Sequence, residues 1–215
     1  MPLFRLLLGC CLCLLSLQVS AQASLQLIDG DKVQSLKGQF RVLYDKKASL
    51  SINEVMQKLP AFSWPDSQNP NFGFGDEAIW LHTSFSNVSQ ESMWVMDLGY
   101  AQNDRVDFYL IADSQVIAQS VQGKQHNQQF RFPTLEAELP FATRLDLFIR
   151  IQSSGEVRLA PVELMSKPVH SRILTLDSLI WGAFYGALLI LLLYNLTLFV
   201  SLRDPSLLAY AAYIS

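Results

Sequence analysis

The sequence of this 215-residue chain contains few of the motifs that form catalytic or metal sites. The three histidines are too far apart to form the short-spaced pairs typical of zinc sites, and no G-x-S-x-G nucleophile motif occurs. Residues 73–75 (GFG) lack the strand-to-helix context of a nucleotide loop. Asp76 and Glu77 are adjacent, so on a strand they would point to opposite faces and could not form a catalytic carboxylate pair. We therefore predict that the chain is not an enzyme and needs no metal or cofactor.

Aromatic and polar side chains suggest a binding site for a small ligand, and a saccharide is one such ligand. Tryptophan and tyrosine rings provide flat platforms for sugar rings, while arginine and histidine donate hydrogen bonds to hydroxyl groups. Aromatic residues in strands are also common in protein cores, so a purely structural role is an alternative for each. Trp64 and Phe72, in loop-like stretches, are expected to be the more exposed. The candidate residues are Trp64, Phe72, Trp80, His82, Trp94, Tyr100, Arg105, Tyr109, Arg131 and Arg150.

Charge is spread unevenly along the chain, and its distribution excludes some partners. Residues 24–177 contain 14 basic and 18 acidic residues, whereas residues 178–202 contain no charged residue. A mildly acidic block with dispersed charge does not favour nucleic acid, which requires a basic face. It also lacks a polybasic patch for lipid headgroups. The block 24–177 is long enough for one well-buried domain.

The first 23 residues have the features of a secretory signal peptide. Arg5 provides the positive region, residues 6–17 form an apolar stretch too short to span a bilayer, and Ala21-Gln22-Ala23 is a cleavage site. We expect the mature chain to begin near Ser24. Because all three cysteines lie in this leader, the exported domain is predicted to contain no disulfide.

Residues 179–200 are apolar apart from one asparagine and one threonine, and they predict a transmembrane helix. At about 1.5 Å per residue they extend roughly 33 Å, enough to cross a hydrocarbon core of about 30 Å. Gly182 and Gly186 form a G-x-x-x-G, which favours packing in a helix bundle or a helix dimer. Residues 166–178 are predicted to be a juxtamembrane connector. The last nine residues, 207–215, begin a second apolar segment, so we expect a fragment of a longer protein or a truncated gene product.

Alternating apolar and polar residues predict an antiparallel β-sandwich or jelly roll over residues 24–165, followed by the transmembrane α-helix. In residues 79–87, Ile79, Leu81 and Phe85 share one face while Trp80 and His82 share the other. A short helix is expected over residues 50–59, with a serine cap and a glutamate three residues later. Strands are predicted at 39–44, 79–87, 92–100, 105–112, 144–152 and 157–165.

Several short motifs, taken in order, resemble one family of bacterial receptors. These are the seven-transmembrane receptors with diverse intracellular signalling modules (7TMR-DISM), in the form that carries the second type of extracellular domain. The motifs are RVLYD (41–45), LSINEV (50–55), NFGFG (71–75), IWL (79–81), FSN (85–87), VDFYL (106–110), LFIR (147–150) and APV (160–162), then YG (185–186), LYNL (193–196) and RDP (203–205) with Tyr210 and Tyr213. His82 departs from the arginine often found at this position in such domains.

The resemblance implies a jelly-roll ectodomain similar to carbohydrate-binding modules, seven membrane helices and a cytoplasmic output domain such as a histidine kinase or diguanylate cyclase. We therefore expect a sensory receptor of the bacterial inner membrane, with a periplasmic domain that binds a small molecule or saccharide. A homodimer is an arrangement that the short connector allows. Two alternatives are a protein-interaction module on a membrane anchor and a non-signalling remnant of a truncated receptor.

Overall fold

The computed structural model describes residues 25–28, 30, 32–65, 67–124, 131–204, 206, 209 and 210. The predicted signal peptide, residues 1–23, lies outside the described residues, as does most of the second apolar segment, residues 207–215. Ten strands are described: β1 (Leu25–Leu27), β2 (Gln34–Ser35), β3 (Arg41–Asp45), β4 (Ala78–Asn87), β5 (Met93–Asp97), β6 (Arg105–Ala112), β7 (Gln115–Gln122), β8 (Thr134–Glu138), β9 (Arg144–Gln152) and β10 (Glu163–Ser166).

The strands form two sheets. The six-stranded sheet has the order β1-β4-β9-β6-β7, and β3 also pairs with β4. The four-stranded sheet has the order β2-β10-β5-β8. All pairs are antiparallel except β1 with β4. This arrangement confirms the predicted mainly-β, largely antiparallel sandwich.

The main core lies between the two sheets and follows the predicted alternation. Ile79, Leu81 and Phe85 of β4 point inward from the six-stranded sheet, and Trp94 and Met96 of β5 point inward from the other. Because successive strand residues face opposite sides, each run contributes every second side chain to this core.

A second, smaller core covers the outer face of the six-stranded sheet. Helix α1 (Ile52–Gln57) begins at Ser51, which forms the predicted capping box with Glu54, and a short 3-10 turn, Leu59–Ala61, follows. This segment places Val55 and Phe62 against Trp80 and Phe148. Both faces of the central strands are therefore buried.

Helix α2 (Lys167–Leu202) begins directly after β10 and continues for 36 residues. At 1.5 Å per residue it is about 54 Å long, well beyond the roughly 30 Å of a hydrocarbon core. Among the described residues, this helix alone is long and apolar enough to cross a membrane. The segment 166–178, predicted as a connector, is helical from Lys167 onward and forms the first turns of α2. Pro168 lies in the first turn, where the missing amide hydrogen has no effect on the helix.

Candidate functional site

Five of the ten candidate ligand-binding residues lie on the outer face of the six-stranded sheet. The cross-strand register places Trp80 opposite Arg150, His82 opposite Phe148, and Arg105 opposite Gln152. Tyr109 stacks on Trp80, with ring centroids 5.9 Å apart and planes inclined by 24°. This face thus brings together Trp80, His82, Arg105, Tyr109 and Arg150.

Arg150 is bound within a buried polar network. Its guanidinium lies 3.3 Å from Asp107 Oδ2 and donates to the backbone oxygen of Ala48 at 3.0 Å. Arg105 Nε donates to the other oxygen of Asp107 at 2.8 Å, and this hydrogen bond raises the pKa of Arg105 further above its ordinary value. Asp107 and Arg150 are both buried, so the network ties the sheet to the loop after β3.

His82 is also buried and has a partner at each ring nitrogen. Arg41 donates to Nδ1 at 3.2 Å, and Nε2 lies 2.9 Å from Asp146 Oδ1. These partners assign the proton to Nε2. Burial raises the pKa of Asp146, but hydrogen bonds from His82 and Ser84 outweigh it and leave that pKa below its ordinary value.

The other aromatic candidates do not converge on one place. Trp94, like Trp80, is fully buried and presents no ring face to solvent. Phe72 and Tyr100 are half-buried and pack against the main core. Trp64 is 50% exposed on a loop.

Arg131 lines a different site, a cleft of about 220 Å³ between the four-stranded sheet and helix α2. Asp97 of β5 with Glu163 and Met165 of β10 form its floor. Arg131 and Phe132 form one wall. The helix provides the other wall through His170, Ile173, Leu174 and Asp177. These four residues have the i, i+3, i+4, i+7 spacing of one helix face.

The first turns of α2 dock onto the outer face of the four-stranded sheet. Val169 packs with Val95 and Met165 in a small separate cluster. Lys167 pairs with Glu136 of β8, and Arg131 lies 3.6 Å from Asp177. Met165, Arg131 and Asp177 therefore line the cleft and also hold the helix against the sheet.

Two carboxylates dominate the electrostatics of the cleft floor. Asp97 and Glu163 are directly opposite each other in the β5–β10 register. Burial, with a smaller effect from Glu163, raises the pKa of Asp97 to about 6. His170 Nε2 is 3.8 Å from Asp97 Oδ2, and burial lowers the pKa of His170. Within the described part of the chain, no lysine or arginine lies within 4.0 Å of either carboxylate.

Of the residues that line this cleft, only Arg131 was among the candidates predicted from the sequence. The sequence prediction missed Asp97, Glu163, His170 and Asp177. The helical spacing of residues 170–177 was a usable signal, because it marks an amphipathic face just before the membrane span. The pairing of Asp97 with Glu163 had no local signal, since their strands are distant in sequence.

Comparisons with known proteins decide the family. Residues 37–166 match the family model described as 7TMR-DISM extracellular 2. The chain belongs to the 7TMR-DISM receptors. Residues 177–215 match the model described as 7TM diverse intracellular signalling, the start of the membrane unit of these receptors. The resemblance drawn from the sequence motifs is thereby confirmed, and the chain is a membrane protein with an extracellular N-terminal domain.

Among the solved structures that are similar is one from work on the promiscuous specificity of carbohydrate-binding modules of the beta-sandwich superfamily. It is 10% identical, with a TM-score of 0.27, over 65% of this chain and 63% of that chain. This chain thus spans less than two thirds of the length of that structure. No curated protein matches the chain.

The first turns of helix α2 separate the two family models in this 7TMR-DISM receptor. The extracellular model ends at residue 166 and the membrane model begins at residue 177. Residues 167–176, between them, are the turns that dock on the sheet. The cleft lies where the extracellular domain joins the membrane unit.

Proposed function

We propose that this chain is the N-terminal part of a sensory receptor of the bacterial inner membrane. Its periplasmic sandwich binds a small molecule in the cleft between the four-stranded sheet and helix α2. The seven-helix unit then passes the change to a cytoplasmic output domain. In this proposal the chain itself catalyses no reaction.

The observation that carries the proposal is that one cleft takes walls from both the sandwich and the membrane helix. A ligand can shift a receptor only if it favours one of two states. A molecule between Glu163 and Leu174 touches both bodies, so its binding energy depends on their relative position. Because α2 follows β10 without a linker, a movement at the cleft would continue into the membrane.

The outer face of the six-stranded sheet is the weaker place for a ligand. Its aromatic candidate Trp80 is covered by the α1 segment, and its arginine Arg150 is occupied by Asp107 and Ala48. Saccharides therefore enter the test as ligands of the cleft, where Arg131 and Phe132 offer a donor and an aromatic ring.

A single-cysteine reporter tests the proposal. With the leader cysteines removed by export, Leu174→Cys places one thiol in the cleft wall. An environment-sensitive fluorophore on it should change its emission when the full chain, in lipid nanodiscs, meets its ligand. The panel contains mono- and oligosaccharides, peptidoglycan fragments, carboxylates and amines. Thr175→Cys, exposed on the opposite side of the helix, is the matched control. A saturable response at residue 174 alone supports the proposal, and no response to any class contradicts it.

A second candidate function, docking of another protein, is favoured by strand β7. This strand is last in the described order of its sheet, has no charged residue, and exposes Val116, Ile117 and Val121. Uncharged edge strands readily pair with strands of another chain. If β7 joins two copies, Val121→Lys should reduce the dimer fraction of the full chain in detergent, measured by light scattering. An unchanged fraction would exclude this role.

A further inference from the structure

We propose that the cleft selects a small organic cation, an alkylammonium ligand whose charge lies between Asp97 and Glu163. This inference rests on the proposed function and names the ligand class of the same site. It starts from the floor of the cleft, where two carboxylates meet in an otherwise partly apolar cavity.

The carboxylate pair is only partly compensated by its neighbours, since Asp97 Oδ1 accepts a hydrogen bond from Gly99 N at 2.8 Å and Asp97 Oδ2 lies 3.8 Å from His170 Nε2. Like charges directly opposite each other on neighbouring strands destabilise a sheet. Asp97 is largely buried, with 16% of its side chain exposed, so water compensates its charge poorly. An ammonium group between the two carboxylates would form charge-assisted hydrogen bonds with both.

The arginine and lysine nearest the cleft pair with carboxylates other than Asp97 and Glu163. Arg131 faces Asp177 and lies over the Phe132 ring, 5.4 Å from its centroid. Lys167 pairs with Glu136 outside the cleft. His170 is the nearest basic group to Asp97, with Nε2 3.8 Å from Asp97 Oδ2, and burial lowers the pKa of His170. Because two carboxylates face one histidine, the floor has a net negative charge when both carboxylates are ionised.

The walls set the size and the apolar part of the ligand. Met165, Ile173 and Leu174 provide aliphatic surface next to the carboxylates. A volume of about 220 Å³ is smaller than the roughly 300–1,000 Å³ of pockets for drug-sized ligands. An amine with a short hydrocarbon chain fits both the charge and the volume. Its chain would contact the helix face that faces the sandwich.

The binding experiment uses 1,4-diaminobutane as the probe and 1,4-butanediol as its uncharged counterpart. The full chain is placed in phosphatidylcholine nanodiscs, which carry no net lipid charge to attract the amine. Calorimetric titration at pH 8 should show saturable binding of the diamine, and binding of the diol at least ten-fold weaker. Glu163→Gln and Asp97→Asn should each weaken diamine binding at least ten-fold. Glu138→Gln, an exposed carboxylate on β8 outside the cleft, should leave binding unchanged.

Measuring diamine binding at two pH values distinguishes binding in the cleft from binding at other acidic surfaces. Asp97, with a pKa of about 6, would be about one-tenth ionised at pH 5, so binding should weaken about ten-fold relative to pH 8. The other titratable or charged groups of the cleft are Glu163, His170, Asp177 and Arg131. Protonation of His170 at low pH acts in the same direction, because it adds a competing positive charge.

The outcomes distinguish the inference from the proposed function. Equal binding of diamine and diol, or full diamine binding by Glu163→Gln, would overturn the cation proposal. If a saccharide or carboxylate moves the residue 174 reporter while the diamine does not, the cation proposal fails and the sensor proposal stands. If no compound moves the reporter, both fail. Glu163 is exposed, so its variant tests the site independently of any change in folding that Asp97→Asn causes.

Discussion

Asp97 and Glu163 lie directly opposite each other on β5 and β10, on the sheet face that carries the first turns of helix α2. A structural role alone would favour oppositely charged or apolar residues at these positions, because facing carboxylates repel each other. The pair therefore destabilises the sheet at the junction of the sandwich and the membrane helix.

Replacing Asp97 with asparagine should stabilise the receptor at neutral and alkaline pH. The pKa of Asp97 is raised from 3.8 to about 6 in the folded state, so the ionised carboxylate opposes folding. A difference of about two pH units corresponds to about 3 kcal/mol at most. The expected result is a higher Tm for the variant at pH 7.5, measured by tryptophan fluorescence in detergent.

The sign of this effect depends on pH. Below about pH 4 both states of the wild type hold the proton, so the advantage of Asp97→Asn disappears. Between about pH 4 and 6 the unfolded state releases the proton first, so wild-type stability falls as pH rises. Above about pH 6 the ionised Asp97 destabilises the wild type by the full amount. If Asp97→Asn raises the Tm above that of the wild type by the same amount at pH 4 and at pH 7.5, the assigned environment of Asp97 is contradicted.

The buried pair of Arg150 and Asp107 should be a major stability element. Asp107→Asn removes the negative charge and leaves Arg150 buried without its counterion, which costs about 3–5 kcal/mol. Urea unfolding measures this change. Glu156→Gln is the control, because it disrupts only the exposed pair with Lys124 and should cost less than about 1 kcal/mol. Equal costs for the two variants would show that the network is not closed to solvent.

Changing Trp80 to alanine should lower the free energy of unfolding much more than changing Trp64 to alanine. Trp80 is fully buried and packs with Val55 and Phe148, so its removal should cost about 3–5 kcal/mol. Trp64 is half exposed, and Trp64→Ala should change the free energy of unfolding by about 0.5 kcal/mol or less. If Trp64→Ala abolishes ligand binding at unchanged stability, the ligand lies on that loop and not in the cleft.

Direct continuity of β10 and α2 should be necessary for coupling. Inserting Gly-Gly-Ser between Ser166 and Lys167 adds a flexible linker at this point. The sandwich should still fold, while the reporter at residue 174 should lose its response to ligand. The same insertion between Asp113 and Ser114, in the exposed turn between β6 and β7, is the control and should leave the response intact. A response that survives the first insertion would contradict coupling through this junction.

Several elements could be predicted from the sequence because their pattern is local. Strict alternation predicted β6 and β9 with the bounds that the structure has, and the serine–glutamate spacing predicted the cap of α1. Strand β7 was missed, since its half-buried positions hold Ala118, Ser120 and Gln122, so apolar and polar residue types do not alternate along it. The burial of Trp80 and the pairing of Asp97 with Glu163 depend on contacts between distant segments, which a single sequence does not show.

A disulfide between α2 and the sheet tests the central claim, that the helix docks on the sandwich where the cleft forms. Val95→Cys with Val169→Cys pairs two side chains of one buried cluster. Mild oxidation of the full chain in membranes should cross-link this pair, seen as a mobility shift that a reductant reverses. The control pair, Val95→Cys with Ile180→Cys, combines the same strand position with an exposed residue farther along the helix and should remain reduced. If Val95→Cys and Val169→Cys also remain reduced, the helix does not dock on this sheet and the proposed sensor mechanism is wrong.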